Sequence, residues 1–485
     1  MKLQNLQYAV TVFIIACITV ADGLVHDQLD LTSRPGRAWD GRVRPMSSAT
    51  LRVGPVKDQA LRGGRGEGAS LESTEESPFE SNMAELMLGL CKSLIGGTVL
   101  ILSGGLAQAT NVRWMSAPSG LLCMIFAIFS AHTYSLLGLS CHMLHAHSYT
   151  ELWSRSVSPA TAWLPNTACF TFTWLCCAMY TIIIRDMLRS LLLAVGVAEG
   201  WASKQSVCAM MVFLLLPLCL LRSLSSLAYT SFFGMLGCLY TTGFAIYRHV
   251  KGDYADGGKF FSLLTDKQKP KFGDEINLRK FLVLISYFHG CYQVHFDAPK
   301  FFHSLSPRSI GRFNLLTYSS FTIAGLVGAG LMIAGFLTFG EHSESLLLNN
   351  YHSKDQLATG ARLATLVSIL CSYPLFFGGF SSGIIELAAH KLGSSDRQTV
   401  KDILAFVMVA VNIFLAFVLE RLGIIASLSG SILGACIIFV FPPLIHMGCL
   451  EKKRREGIQL TGREERMYVT SYVTLILGIL FGVFG

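Results

Sequence analysis

Charge is what this sequence has least of. Only 14% of its 485 residues are charged while 52% are hydrophobic, and the mean hydropathy is +0.50. That balance excludes a soluble protein of this length and implies a polytopic membrane protein whose main partner is the lipid bilayer. A basic groove interleaved with aromatic residues is also missing. The net charge of +8 lies in an N-terminal leader and in loops between apolar runs, so nucleic acid is not an expected partner. Nor is there a CxxC pair. The 14 cysteines fall mostly inside apolar segments and read as small apolar residues, with no metal site implied. No HExxH or P-loop pattern occurs, which leaves metalloprotease or ATP-driven chemistry without visible machinery and no cofactor called for.

What the sequence does have is long apolar runs. Eleven occur, at roughly 86–109, 118–140, 167–194, 206–221, 227–247, 279–297, 315–339, 358–389, 402–420, 422–447 and 467–484. Each is near the length that crosses about 30 Å of hydrocarbon. They are continuously apolar and not alternating, so the expected class is all-α, with about eleven transmembrane helices and not a barrel.

A separate leader precedes them. Residues 8–21, "YAVTVFIIACITVA", follow a single lysine and resemble a signal-peptide core or an anchor, giving a first segment at 1–25. Residues 26–82 carry Arg34, Arg37, Arg42, Arg44, Arg52, Lys57, Arg62 and Arg65 among Gly, Ser and Pro, the composition of a disordered basic leader. The transport domain is expected over 83–485. The basic stretches "HKLGSSDRQTVK" and "LEKKRREGIQLTGREER" place the N-terminus of that domain inside by the positive-inside rule, although the lysine-rich loop 248–278 argues the other way.

One stretch, "CHMLHAHSYTELW", sets His142, His145 and His147 close together, in the manner of the histidine boxes of membrane desaturases. Sites of that kind use several boxes and only one is present, so an interfacial histidine cluster is the better reading.

A different segment carries more chemistry. "LCKSLIGGTVLILSGGLAQ" is an apolar run with a lysine, Lys92, and a glycine pair, Gly96 and Gly97, followed by Thr98. Broken helices are tolerated in membranes where their free backbone groups line a protein cavity and meet a polar substrate. Free N–H groups at the start of a second half-helix suit a carboxylate. The sixth run, "LISYFHGCYQVHFDAPKFF", with His289, Gly290, Gln293 and Pro299, is a second candidate for interruption. The sixth run stands five places after the first, which gives two five-helix halves, the arrangement of inverted-repeat transporters. Glycines that simply allow close helix packing are the alternative.

These segments resemble the amino acid/auxin permease family. "KSLIGGTVLIL", from Lys92 to Leu102, is similar to its first helix; "GFLTFGEHSESLLLNNY", 335–351, to the end of helix seven in the glutamine-transporter branch; and "GIIASLSGSILGACIIFVFPPLIH", 423–446, to its glycine-rich tenth helix. The resemblance covers roughly residues 83–485 and implies a leucine-transporter-like fold, 5+5 helices with discontinuous helices 1 and 6, which carries amino acids by alternating access. By position it implies that N–H groups around Gly96, Gly97 and Thr98 take the substrate carboxylate, that carbonyls around Tyr287, Phe288 and His289 take its ammonium, and that Tyr180 gates the site. Asp186, six residues after Tyr180, matches the proton-coupled branch, or pairs with Arg185 or Arg189.

In sodium-coupled members an asparagine at the Lys92 position helps to ligate sodium together with a hydroxyl of helix eight, matched here by Ser372 in "CSYP". A fixed ammonium would repel sodium, so Lys92 and Ser372 form the expected coupling-ion site, and the resemblance implies proton-coupled or uncoupled transport, with a proton as co-substrate. Lys92 lies about 9 Å into the span at about 1.5 Å per residue, near enough to a surface that snorkelling is the competing account. His289 is a proton-relay candidate or a packed histidine. A transport-fold amino acid sensor and a histidine-dependent membrane oxidoreductase are the alternative functions. The location is an integral membrane, either the plasma membrane or a vacuolar, lysosomal or plastid one.

Overall fold

A computed structural model describes residues 82–220, 228–387, 396–419 and 422–484. The leader segments expected at 1–25 and 26–81 lie outside the described residues, as does part of the loop at 390–401. Each apolar run forms helix, and the pattern of breaks is what positions the site.

The first run does not make one helix. It forms α1, Met83–Leu94, then a 3₁₀ turn at Gly97–Ile101, then α2, Leu102–Ala109. Ile95 ends α1 with its N–H on the Cys91 carbonyl at 2.7 Å, and Gly96 is fully extended (φ −89°, ψ −165°). A long helix, α3 at Ser116–Leu144, follows, then a short surface helix, α4 at Tyr149–Ser156, capped by the Ser148 hydroxyl on the Glu151 N–H. The first half closes with α5 (Trp163–Ala194), α6 (Lys204–Cys219) and α7 (Ala228–Lys251).

The second half repeats that order. Its first member is again broken: α8, Leu278–Tyr292, is followed by an open turn at Gln293 and Val294, a 3₁₀ turn at His295–Asp297 and α9, Ala298–His303. Pro299 stands in the first turn of α9, where its missing N–H costs nothing and its fixed φ favours helix. Then come α10 (Ile310–Phe339), α11 (Gln356–Leu387) and α12 (Asp396–Val418). The tenth run is a composite of α13 (Leu422–Leu428), two π-helical stretches at Ser429–Gly434 and Cys436–Val440, and α14 (Phe441–Arg455). The last run is α15, Gly462–Phe484.

Packing follows the repeat. The first four members of the first half lie against their counterparts in the second: α2 on α8, α3 on α10, α5 on α11 and α6 on α12. The fifth members cross over, α7 against α11 and the α13 segment against α5. Close approach of the two broken helices requires glycine at Gly105, where a Cβ would fall 2.3 Å from the Tyr287 ring. Among the described residues seven helical segments are long and apolar enough to cross a membrane: 83–109, 113–144, 159–194, 310–339, 356–385, 398–418 and 425–455. The other four apolar runs form α6, α7, α8 and α15.

Polar staples tie the segment between α7 and α8 to the ends of α10 and α11. Arg248 is buried and its guanidinium binds Asp253 and, at 2.6 Å, Asp355; Tyr254 donates to the other Asp355 oxygen at 3.0 Å. Asp355 also accepts the Leu357 N–H (3.1 Å) at the start of α11, so one carboxylate caps a helix and neutralises a buried cation. Nearby, Lys271 pairs with Glu341, which also accepts from the Asn111 amide at 3.1 Å.

Candidate functional site

The break in the first run offers donors. The first bond of the new helical turn joins the Val99 N–H to the Gly96 carbonyl (3.3 Å), so the N–H groups of Gly96, Gly97 and Thr98 precede it and have no acceptor within their own helix. Tyr180, from the middle of α5, reaches this point. Its hydroxyl lies beside the backbone of Gly96 and Gly97, its ring edge packs on Phe376 of α11 with centroids 5.2 Å apart, and a Cβ on Gly96 would fall 2.6 Å from its oxygen. A substrate carboxylate that takes these donors must displace the Tyr180 hydroxyl.

The second break lies at Gln293, within the interrupted stretch of the sixth run. Tyr287, Phe288 and His289 are all inside α8, and the N–H groups at the i+4 positions of Tyr287 and Phe288 belong to Cys291 and Tyr292, still helical. Their carbonyls are therefore part of the helix ladder. The carbonyls nearest the turn at Gln293, those of His289, Gly290 and Cys291, lie at the end of that ladder. The side chains of Tyr287, Phe288 and His289 have packing roles. The Tyr287 hydroxyl donates to the Gly423 carbonyl (3.4 Å) and Phe288 packs on Phe126 with centroids 5.6 Å apart. His289 is buried with Nδ1 3.0 Å from the Gly430 carbonyl, between the rings of Phe126, Phe439 and Phe481. The two breaks meet, since the 3₁₀ turn at Gly97–Ile101 packs against α8.

Lys92 does not snorkel. It is 6% exposed, and its ammonium turns inward from α1 to donate to the Ser368 carbonyl of α11 at 3.2 Å and to the Ser368 hydroxyl. Ser368 in turn donates to the Gly234 carbonyl of α7 (3.3 Å). A Cβ at Gly234 would lie 2.3 Å from Lys92 Cε, so glycine is what admits the lysine between α1, α7 and α11. Ser372, the expected partner, stands one turn away, and its hydroxyl donates to the same Ser368 carbonyl at 3.0 Å. The partner is thus Ser368, whose position one helical turn before Ser372 is the signal the sequence held. A small pocket beside this cluster is lined by Ile95, Gly96, Cys238, Thr241, Thr365 and Ser368, among others.

Asp186 pairs with Arg185 at 2.6 Å and accepts from the Asn349 amide at 3.2 Å, and Arg185 also binds the Leu419 carbonyl (3.0 Å). This is a brace at the end of α5. The three histidines at the end of α3 and just beyond it form no metal-binding cluster among the described residues. His145 ends α3 in the left-handed conformation (φ 51°), His142 meets the edge of Phe302, and His147 stacks on His303 with centroids 4.0 Å apart. Residues 379–383, "GFSSG", spell the G-x-S-x-G of a nucleophile elbow, but Ser381 lies within α11 and donates to the Gly378 carbonyl at 3.1 Å, with no strand-to-helix turn to expose it.

The family described as "Transmembrane amino acid transporter protein" matches residues 80–485. Curated relatives include the putative sodium-coupled neutral amino acid transporter 11 of Danio rerio, 23% identical over 82% of this chain and 86% of the relative. Sodium-coupled neutral amino acid transporter 7 of Bos taurus is 24% identical over 92% of this chain and 93% of its own length. Amino acid transporter AVT1B of Arabidopsis thaliana is 27% identical over 49% of this chain and 41% of its own. Among solved structures, MhsT in complex with L-phenylalanine superposes with a TM-score of 0.53 at 12% identity, covering 83% of this chain and all but 1% of the other (99% covered). Mhp1, a nucleobase-cation-symport-1 family transporter in a closed conformation, gives 0.51 at 12% identity over 83% of this chain and 92% of that one. The likeness to these structures is one of fold, the all-α leucine-transporter-like membrane fold.

Proposed function

Because this chain belongs to the transmembrane amino acid transporter family, and so is a multi-pass membrane protein that carries amino acids and not an enzyme, we propose that it works by alternating access about its two broken helices, proton-coupled or uncoupled, and without sodium. The substrate carboxylate is received by the N–H groups of Gly96, Gly97 and Thr98, with Tyr180, beside Gly96 and Gly97, as the gate. The ammonium is received by the open carbonyls at the end of α8.

The observation that carries the coupling reading is the contact of Lys92 with Ser368. The ammonium joins the first broken helix to α11, and a hydrogen bond to a charged group contributes about 1.5–3 kcal/mol. A second cation brought to the same carbonyl and hydroxyl would be repelled by the first. Loss of the lysine proton removes that charge, loosens the tie between α1 and α11, and gives a route by which proton movement is linked to opening. The relatives 7 and 11 carry sodium coupling in their names; the proposal is that this chain departs from them.

Sodium binding to the purified protein tests this directly. A bound ion stabilises the folded state by RT ln(1 + [L]/Kd), so replacing choline with sodium at constant ionic strength raises the melting temperature of a sodium-binding transporter. No shift is expected here; a saturable sodium-dependent shift contradicts the proposal.

A further inference from the structure

His295 opens the 3₁₀ turn His295–Asp297 that joins α8 to α9. Its ring is fully buried and is held from one side only. Nε2 lies 3.1 Å from the Ser130 carbonyl and 2.9 Å from the Thr133 hydroxyl, both on α3. A carbonyl only accepts, so Nε2 carries the hydrogen and Nδ1 keeps a bare lone pair. That Nδ1 is buried without a hydrogen-bond partner.

Three more buried polar atoms without a partner stand around it, Ser130 Oγ, the Tyr134 hydroxyl and Thr317 Oγ1. Tyr134 meets the His295 ring edge-on with centroids 5.5 Å apart, and its own ring packs on Phe313 and Phe321 of α10 at 5.6 and 5.5 Å. Thr317 is one turn from each of those phenylalanines, on the same face. One such atom is costly to leave unpaired, and four together call for water. A metal ion does not fit, since no group of three His, Cys, Asp or Glu side chains able to hold one occurs among the described residues. His289 also has an unpartnered nitrogen, but its ring lies among Phe126, Phe439 and Phe481, which give water nothing to bond.

We propose that His295 Nδ1 binds a proton that moves with the amino acid. This rests on the proton-coupled reading above and adds a proton-binding group apart from Lys92. The lone pair takes a proton from water in the nest, an Nδ1–H bond forms, and the resulting cation donates through Nε2 to α3 and through Nδ1 to that water. A charged N–H donates more strongly than a neutral one, so the protonated ring fastens the turn between α8 and α9 to α3. Return of the proton to water loosens it. The titratable groups on the elements packed here are Tyr134 of α3, Tyr292 of α8, whose ring lies 6.4 Å from Phe321, Cys91 of α1, on the Ser320 carbonyl, and Cys436 of the π-helical stretch against the turn. On the chain just beyond stand Asp297 and Lys300; a carboxylate there favours a charged ring and an ammonium opposes it.

The test is accumulation of a labelled amino acid mixture in proteoliposomes of the full chain, in choline, under an inward proton gradient. Coupled to one proton, a gradient of about one pH unit concentrates a substrate up to about tenfold. The unaltered protein is expected to accumulate amino acid in this way. His295→Gln keeps an N–H for the Ser130 carbonyl but has no lone pair to protonate, and it is expected to bring the two sides only to equal concentration. Undiminished accumulation by His295→Gln overturns the inference and leaves proton coupling standing. No accumulation by the unaltered protein overturns both and leaves the uncoupled reading, so the two fail separately. Should His295→Gln carry no amino acid at all, Thr133→Val decides. It takes an acceptor from Nε2–H and so disfavours the cation, and the pH midpoint of uptake is expected to move down by about half to one unit. An unmoved midpoint overturns the inference.

Discussion

The Lys92 ammonium donates to both the carbonyl and the hydroxyl of one residue, Ser368, and through it α1 is tied to α11. The Ser372 hydroxyl donates to that same carbonyl. The two serines are therefore separable by experiment. Ser368→Ala removes a hydrogen bond to a charged group, worth about 1.5–3 kcal/mol, and is expected to lower the uptake rate roughly tenfold or more. Ser372→Ala removes a hydroxyl that back-bonds its own helix, and its effect on uptake is expected to stay within about threefold, close to the 0.5–1.5 kcal/mol of an ordinary bond. Initial-rate measurements on both variants check this.

Gly234→Ala tests the room made for the lysine. The added methyl would overlap Lys92 Cε, and the far end of a lysine can move, so the protein is expected to fold with a melting temperature within a few degrees of the parent. The moved ammonium no longer reaches Ser368, and uptake is expected to fall by an amount similar to Ser368→Ala. A variant that transports normally would show that this contact is not needed.

Asp355→Ala leaves the buried Arg248 with Asp253 alone, removes the acceptor of Tyr254 and uncaps α11. Breaking a buried ion pair from one side typically costs about 3–5 kcal/mol. The retained Asp253 puts the expected loss near the lower end. Thermal or denaturant unfolding in detergent measures it.

The carboxyl of Glu341 is held below the usual carboxylate range, first by its contact with Lys271 and then by the Asn111 amide. A depressed folded-state pKa adds stability that is present above the unfolded value and is lost as pH falls through the folded one. Glu341→Gln is accordingly expected to flatten the fall in melting temperature on acidification below about pH 4.3 and to leave the pH dependence above neutrality unchanged. Melting curves from pH 7 to pH 3 for the two proteins check the sign.

The architecture was largely legible in the sequence because lipid imposes long apolar runs, and the break at Gly96 and Gly97 was legible because two adjacent glycines and a threonine are poor continuing helix. The second break falls at Gln293, inside the stretch that carries His289, Gly290, Gln293 and Pro299. His289 and Gly290 are the obvious interruption in that run, yet Gly290 only makes room beside Ser429, 4.0 Å from where its Cβ would lie, and the helix continues. It opens at Gln293, ahead of the 3₁₀ turn at His295–Asp297 and of α9. The Ser368 contact was not legible either. Which of two serines one turn apart a lysine reaches depends on the rotation of α11 and on the space left by Gly234 in a third helix, and both are tertiary facts. The cysteines read as small apolar residues, and most of those described are buried.

The proposed fixed ammonium of Lys92 stands where coupling by sodium would need a vacant cation site. The initial rate of amino acid uptake into proteoliposomes, with sodium replaced by choline and each with and without an inward proton gradient, tests this. Equal rates in sodium and choline, raised or unchanged by the proton gradient, are expected. Uptake by the unaltered protein that requires sodium would contradict it.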